Sequence, residues 1–211
     1  MIALDTINLL PAKTTDKDRA AVAGLLGVLE AARGGQGAPA VTVAGLFASL
    51  NALRSDREWW LSLDPAAALA LDWKGFEYRG GVLGTAALMM GALDFFQGGA
   101  GSGSPLVEAR LAAAQALGRS RGVDVLAVMS QVVTPSVQRE LVLVPTSEGR
   151  GAALAAALAA ALRGASGAHL ELEPCALPGA SGVVAFQQRC LAHTRKTVGP
   201  LLVKLLSELQ V

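Results

Sequence analysis

A chain of 211 residues, 52% hydrophobic and 17% charged, can bury one sizeable core and carries less charge than the ~25% of an ordinary soluble domain. Its 18 basic and 17 acidic residues leave a net charge of +1, so there is no sustained basic face, which argues against nucleic acid as a partner. No apolar run reaches the roughly 20 residues of a membrane span: Gly80 to Leu93 is bounded by Arg79 and Asp94, and Gly151 to Leu162 by Arg150 and Arg163.

The N-terminus, MIALDTINLLPAKTT, lacks the basic-then-apolar order of a signal peptide. With only two cysteines a disulfide framework is not expected, and the cytoplasm is the default location. The excess apolar surface then calls for contacts with a protein partner or a homo-oligomer.

In chain order, Thr14 or Thr15 caps a first helix with a stripe at Val22, Leu25, Leu26 and Leu29, ended by Gly34 and Gly35. Thr42 caps a second helix along Val43, Leu46, Phe47 and Leu50. Ser55 and Glu58 form a capping box before Trp59 and Trp60, and Asp64 with Pro65 opens a short helix that ends near Gly75. Phe76 and Tyr78 alternate ahead of a hairpin turn at Gly80 and Gly81. The stretch AALMMGALDFF is rich in helix formers and is assigned to helix.

Beyond the glycine-rich loop, Ser104 and Pro105 start a helix that runs to about Gly118. GVDVLAVMSQVV and VQRELVLVP read as an antiparallel hairpin joined at Thr134 to Ser136. A helix from Glu148 to Arg163 and a strand at AHLELE follow, the latter with Leu170 and Leu172 facing in. Val183 to Leu209 reads as one long helix interrupted at Gly199 and Pro200.

This order predicts an α+β fold. A helical module over 1–75 precedes an α+β domain over 76–211, with a small, mostly antiparallel sheet covered by helices and a long C-terminal helix. The sheet becomes ferredoxin-like if the segment before Asp94 supplies one more strand.

Three constellations bear on chemistry. The loop Gly98 to Gly103 lacks the lysine of a P-loop. With Gln97 it resembles the Gln-x-x-Gly-x-Gly loop with which acetyltransferases grip coenzyme A, although Ala100 stands where that loop has its first glycine. The resemblance implies a ligand site at Gly101, Gly103 and Ser104 for an acyl-coenzyme or nucleotide phosphate. Second, His169, Cys175, Cys190 and His193 are all the cysteines and histidines of the chain. They are two thiols and two imidazoles that zinc would accept, although their spacing matches no familiar finger and packing is the ordinary role for such residues.

Third, adjacent Trp59 and Trp60 cannot share one helix side, and PLLVKLLSELQ is too apolar to stand alone in water. Trp59, Trp60, Leu201, Leu202 and Leu205 are therefore the expected interaction residues. No catalytic residue is assigned, because no nucleophile stands in a recognisable setting. The function expected from the sequence is a non-catalytic interaction or regulatory scaffold subunit without a cofactor. The alternative is a small acyl-coenzyme A or nucleotide-binding transferase using Gly98 to Gly103.

Overall fold

The computed structural model describes residues 9–32, 41–99, 105–132 and 138–209, the side chains of 165 and 166 aside. The chain divides into two compact units, Met1–Asp56 and Arg57–Val211.

The first unit holds a 3-10 turn, Pro11–Lys13, and the helices α1, Asp16–Ala32, and α2, Val43–Arg54. Both helices have the caps their sequences call for. Thr15 N–H donates to the Asp18 carboxylate at 2.8 Å while Asp18 N–H donates to the Thr15 hydroxyl at 3.3 Å, and Gly45 N–H donates to Thr42 Oγ1 at 3.0 Å. Of the predicted α1 stripe only Val22 is buried; Leu25 and Leu29 are exposed. The glycines expected to end α1, Gly34 and Gly35, lie outside the described residues.

The second unit is a six-stranded sheet with helices on both faces. Its order is β1 (Trp73–Tyr78), β2 (Gly81–Leu88), β3 (Val125–Val132), β4 (Gln138–Pro145), β6 (Val184–Gln188), β5 (Leu172–Cys175). Only β2 and β3 pair in parallel; the other neighbours are antiparallel. The α+β architecture and the mostly antiparallel sheet are as the sequence predicts. A parallel pair needs a crossover, and α5 (Ala92–Gln97) with α6 (Pro105–Ser120) provides it.

On one face α3 (Arg57–Ser62), α4 (Pro65–Ala70), α5 and α6 cover an apolar cluster that includes Trp60, Leu69, Phe95, Phe96, Val107, Leu126 and Val142. On the other, α7 (Arg150–Arg163) and α8 (Arg195–Glu208) cover Leu83, Val125, Leu141, Leu158, Phe186, Leu202 and Leu205. Because Trp60, Ala68 and Leu69 are buried in the first cluster, the helices from Arg57 onward belong with the sheet.

The short helix opened by Asp64 and Pro65 ends at Ala70, short of Gly75, and β1 starts at Trp73. Three further elements differ from expectation, each for a physical reason. In AALMMGALDFF the last five residues are helical as expected, but Ala86–Leu88 ends a strand: β2 lies between β1 and β3 and is apolar on both faces, and burial outweighs helix propensity there. AHLELE is a 3-10 turn, Ala165–Leu170, with the strand delayed to Leu172, and Glu171 turns the corner at φ 51°. Val183 to Leu209 is no single helix. Val184, Ala185 and Phe186 form β6 against β4, residues 189–194 are a loop, and only α8 is helical.

The β1–β2 hairpin turns at Arg79 and Gly80, since Tyr78 pairs with Gly81; Gly80 has φ 104°, which only glycine adopts readily. At Gly84 a Cβ atom would lie 2.5 Å from the Trp73 ring. Gly84→Ala is expected to force Trp73 aside and cost about 1–3 kcal/mol, as overpacking does, read from the urea midpoint.

Candidate functional site

The cations of Arg57–Val211 divide into those with a partner and those without one among the described residues. Most are held. Arg57 pairs with Asp94 at 2.5 Å, Arg189 with Glu173 at 2.6 Å and Arg150 with Asp124 at 3.5 Å. Arg119 donates to Thr146 O at 3.1 Å. Arg110, Arg121 and Arg163 lie over the rings of Phe95, Trp73 and Phe186. Apart from Arg79 on the exposed hairpin turn, the side chains of Lys74, Arg139 and Lys196 have no partner among the described residues.

Lys74 and Arg139 lie toward the same end of the sheet. β1 and β4 run the same way, so Lys74 near the start of β1 and Arg139 near the start of β4 share that end. They also share a face. Strand alternation puts Lys74 with Phe76 and Tyr78, and Arg139 with Leu141 and Leu143, and those four residues pack in the cluster under α7 and α8.

The start of α8 is pinned over the same end. Arg195 Nη1 donates to Asp72 O at 2.7 Å and lies 2.7 Å from the Asp72 carboxylate. One helical turn on, Gly199 faces Phe76 of β1 so closely that a Cβ would lie 3.2 Å from the ring. Thr194 builds the capping box: its hydroxyl accepts from Lys196 N–H at 3.3 Å, and the Thr197 hydroxyl accepts from Thr194 N–H at 3.0 Å. The loop before it is clasped by Gln188, whose Nε2 donates to Cys190 O at 2.6 Å and His193 O at 2.7 Å. Arg195 is thus fixed, and Lys196 is exposed at the positive end of a helix dipole. Thr194→Ala is expected to cost about 1 kcal/mol of stability, with Thr194→Ser restoring it, read by thermal unfolding.

The opposite end is polar but neutralised. Tyr78 Oη donates to Asp124 at 2.8 Å, and Arg150 pairs with Asp124 and donates to Gly80 O. Burial first, then the hydrogen bond to Asp124, pushes the Tyr78 phenol above its usual range.

The residues singled out from sequence fall elsewhere. Trp60, Leu202 and Leu205 are buried, at 4%, 0% and 3% exposure, and Trp59 and Leu201 pack against the same clusters. Gly101, Gly103 and Ser104 lie outside the described residues. Of the four cysteines and histidines, His169 and His193 meet, edge to face with ring centroids 5.0 Å apart. Cys175 and Cys190 are free thiols, and no three His, Cys, Asp or Glu side chains among the described residues are arranged to hold a metal ion. Cys190 and His193 both lie in the loop before α8.

Sequence reasoning missed Lys74, Arg195 and Lys196. The available signal was Thr194-x-x-Thr197, a cap followed at once by two cations, hidden by reading the region as one helix. Among the described residues, no helix is long and apolar enough to cross a membrane.

The fold is shared with a putative family II inorganic pyrophosphatase from Methanococcus jannaschii. The two are 14% identical with a TM-score of 0.50, over 97% of this chain and 52% of that one. The chain therefore spans about half the length of that relative. No curated protein matches it. Residues 52–205 match the DHHA2 domain. Together these findings correct the expectation of a non-catalytic regulatory scaffold and that of an acyl-coenzyme A or nucleotide-binding transferase: the chain matches the DHHA2 domain, and its fold is that of a putative family II inorganic pyrophosphatase. With residues 52–205 of its 211 matched, the chain belongs to the DHHA2 domain family.

Proposed function

We propose that the chain is part of a phosphoanhydride hydrolase, and that Lys74, Arg195 and Lys196 hold inorganic pyrophosphate or a closely similar substrate. The observation that carries this reading is the pair of unpartnered lysines beside an arginine fixed by Asp72, all at one end of the sheet. Membership of the DHHA2 family and the fold shared with a putative pyrophosphatase support the reaction class.

Hydrolysis adds a water oxygen to one phosphorus and breaks the bridging P–O bond, so negative charge grows on the leaving phosphate. Cationic donors already aimed at that oxygen stabilise the transition state more than the ground state. Arg195 contributes a rigid planar fork, while Lys74 and Lys196 contribute movable point charges. The described residues are assigned binding and charge stabilisation; no general base is assigned among them. A cytoplasmic location and a homo-oligomeric state belong to the same proposal.

Calorimetric titration with pyrophosphate tests it. Binding is expected at low ionic strength and should weaken as salt is added. A flat titration at millimolar pyrophosphate would remove the reading.

A further inference from the structure

We propose that Arg139, with Gln131 beside it, forms a second anion site that takes inorganic phosphate, separate from the Lys74 and Lys196 cluster. The register places Gln131, Arg139 and Gln188 side by side across β3, β4 and β6. This polar row follows the apolar row Met129, Leu141, Phe186 on the same face. Gln188 is occupied in clasping the 189–194 loop. Gln131 and Arg139 are not: among the described residues neither side chain has a partner.

Arg139 is half-buried, and its Nε is shut off from solvent without an acceptor. Burial pushes the guanidinium below its ordinary range, with no opposing carboxylate contribution. Glu140, next in sequence, is turned away: it accepts from Leu93 N–H at 3.1 Å and from the Ser130 hydroxyl at 3.2 Å. A buried donor with no acceptor costs free energy that a bound oxyanion would recover. A guanidinium fork beside the NH2 group of a carboxamide supplies directed donors and one positive charge, which suits a tetrahedral oxyanion.

Distance separates this site from the first. Lys74 stands in the row Lys74, Thr85, Ala127, Leu143. Arg139 is three strands across and four residues further out, about 14 Å in one direction and about 13 Å in the other at standard strand spacings. The backbones of Lys74 and Arg139 are therefore about 19 Å apart. The two sites are linked through the chain, because Gln188, beside Arg139, fixes the carbonyl of His193 two residues before Arg195.

The test is titration of the chain with inorganic phosphate, followed on the Arg139 Nε–H resonance and by calorimetry, with chloride as control. In the unmodified chain the Nε–H signal is expected to shift with phosphate and not with chloride. Arg139→Met, which keeps the apolar stem, should lose phosphate binding at least tenfold yet keep its pyrophosphate affinity; Gln131→Leu should lose severalfold. Lys74→Ala with Lys196→Ala should do the reverse, retaining phosphate at Arg139. An unmoved Nε–H signal, or Arg139→Met binding phosphate like the unmodified chain, overturns the proposal and leaves the pyrophosphate reading intact. The Nε–H experiment needs no variant, so it decides even where Arg139→Met fails to fold.

Discussion

The double variant Lys74→Ala, Lys196→Ala is expected to bind pyrophosphate about a hundredfold more weakly than the unmodified chain while unfolding at nearly the same urea concentration. Charge-assisted hydrogen bonds contribute about 1.5–3 kcal/mol each, and ~1.4 kcal/mol is a factor of ten. Two such contacts therefore give about two decades or more. Stability should hardly move, because both side chains are exposed and neither has a partner to abandon; such surface changes stay within about 0.5 kcal/mol. Each single variant should lose about one decade, and the slope of log affinity against log salt should flatten in step. Calorimetry at two ionic strengths checks both. Affinity retained in the double variant would mean that pyrophosphate, if bound, is held elsewhere, and Arg195 with the start of α8 would lose its assigned role.

Arg195 differs in kind from the two lysines, and the difference shows why the site was hard to read in advance. Its guanidinium ties α8 to Asp72 across 123 positions of sequence, a relation that no local spacing encodes. Local signals performed well where local forces decide. The caps at Thr42 and Asp64, the hairpin before β2 and the strand pair β3 and β4 lie where turn chemistry and apolar alternation put them. They failed where tertiary burial decides. The end of β2, Ala86 to Leu88, has the composition of a helix, yet a strand between two neighbours needs apolar residues on both faces, and Leu83, Ala86 and Leu88 meet that demand.

The same failure concealed the cations. Once Val183 to Leu209 is read as one helix, Arg195 and Lys196 become ordinary charges in mid-helix. Once Val184 to Gln188 is a strand, they stand at a helix start with a loop clasped behind them. Once the short helix from Asp64 and Pro65 is read to about Gly75, Lys74 becomes a helix charge, whereas α4 ends at Ala70 and β1 begins at Trp73. The meaning of Lys74 depends on Phe76, two residues on, lying beneath Gly199 of α8.

Leu202→Ala is expected to destabilise the second unit by about 3 kcal/mol, within the range for emptying a fully buried leucine site. For a chain of this size that corresponds to a fall of roughly 6–12 °C in melting temperature. Leu202 is 0% exposed and packs with Leu205, Leu206 and Val198 in the cluster between α8 and the sheet. The effect therefore separates two meanings of an apolar helix. A leucine reserved for a partner should be nearly silent in the isolated chain, whereas a core leucine should unfold it early at any concentration. Leu191, 41% exposed in the loop before α8, serves as the control, and its alanine variant should stay within about 0.5 kcal/mol. Urea titrations at two protein concentrations tenfold apart make the comparison. Pyrophosphate affinity in Leu202→Ala should fall only as far as the folded fraction falls, because the cavity lies about two helical turns from Arg195, roughly 10 Å along α8. A larger loss would mean that packing beneath α8, as well as the Asp72 clasp, sets the aim of Arg195 and Lys196.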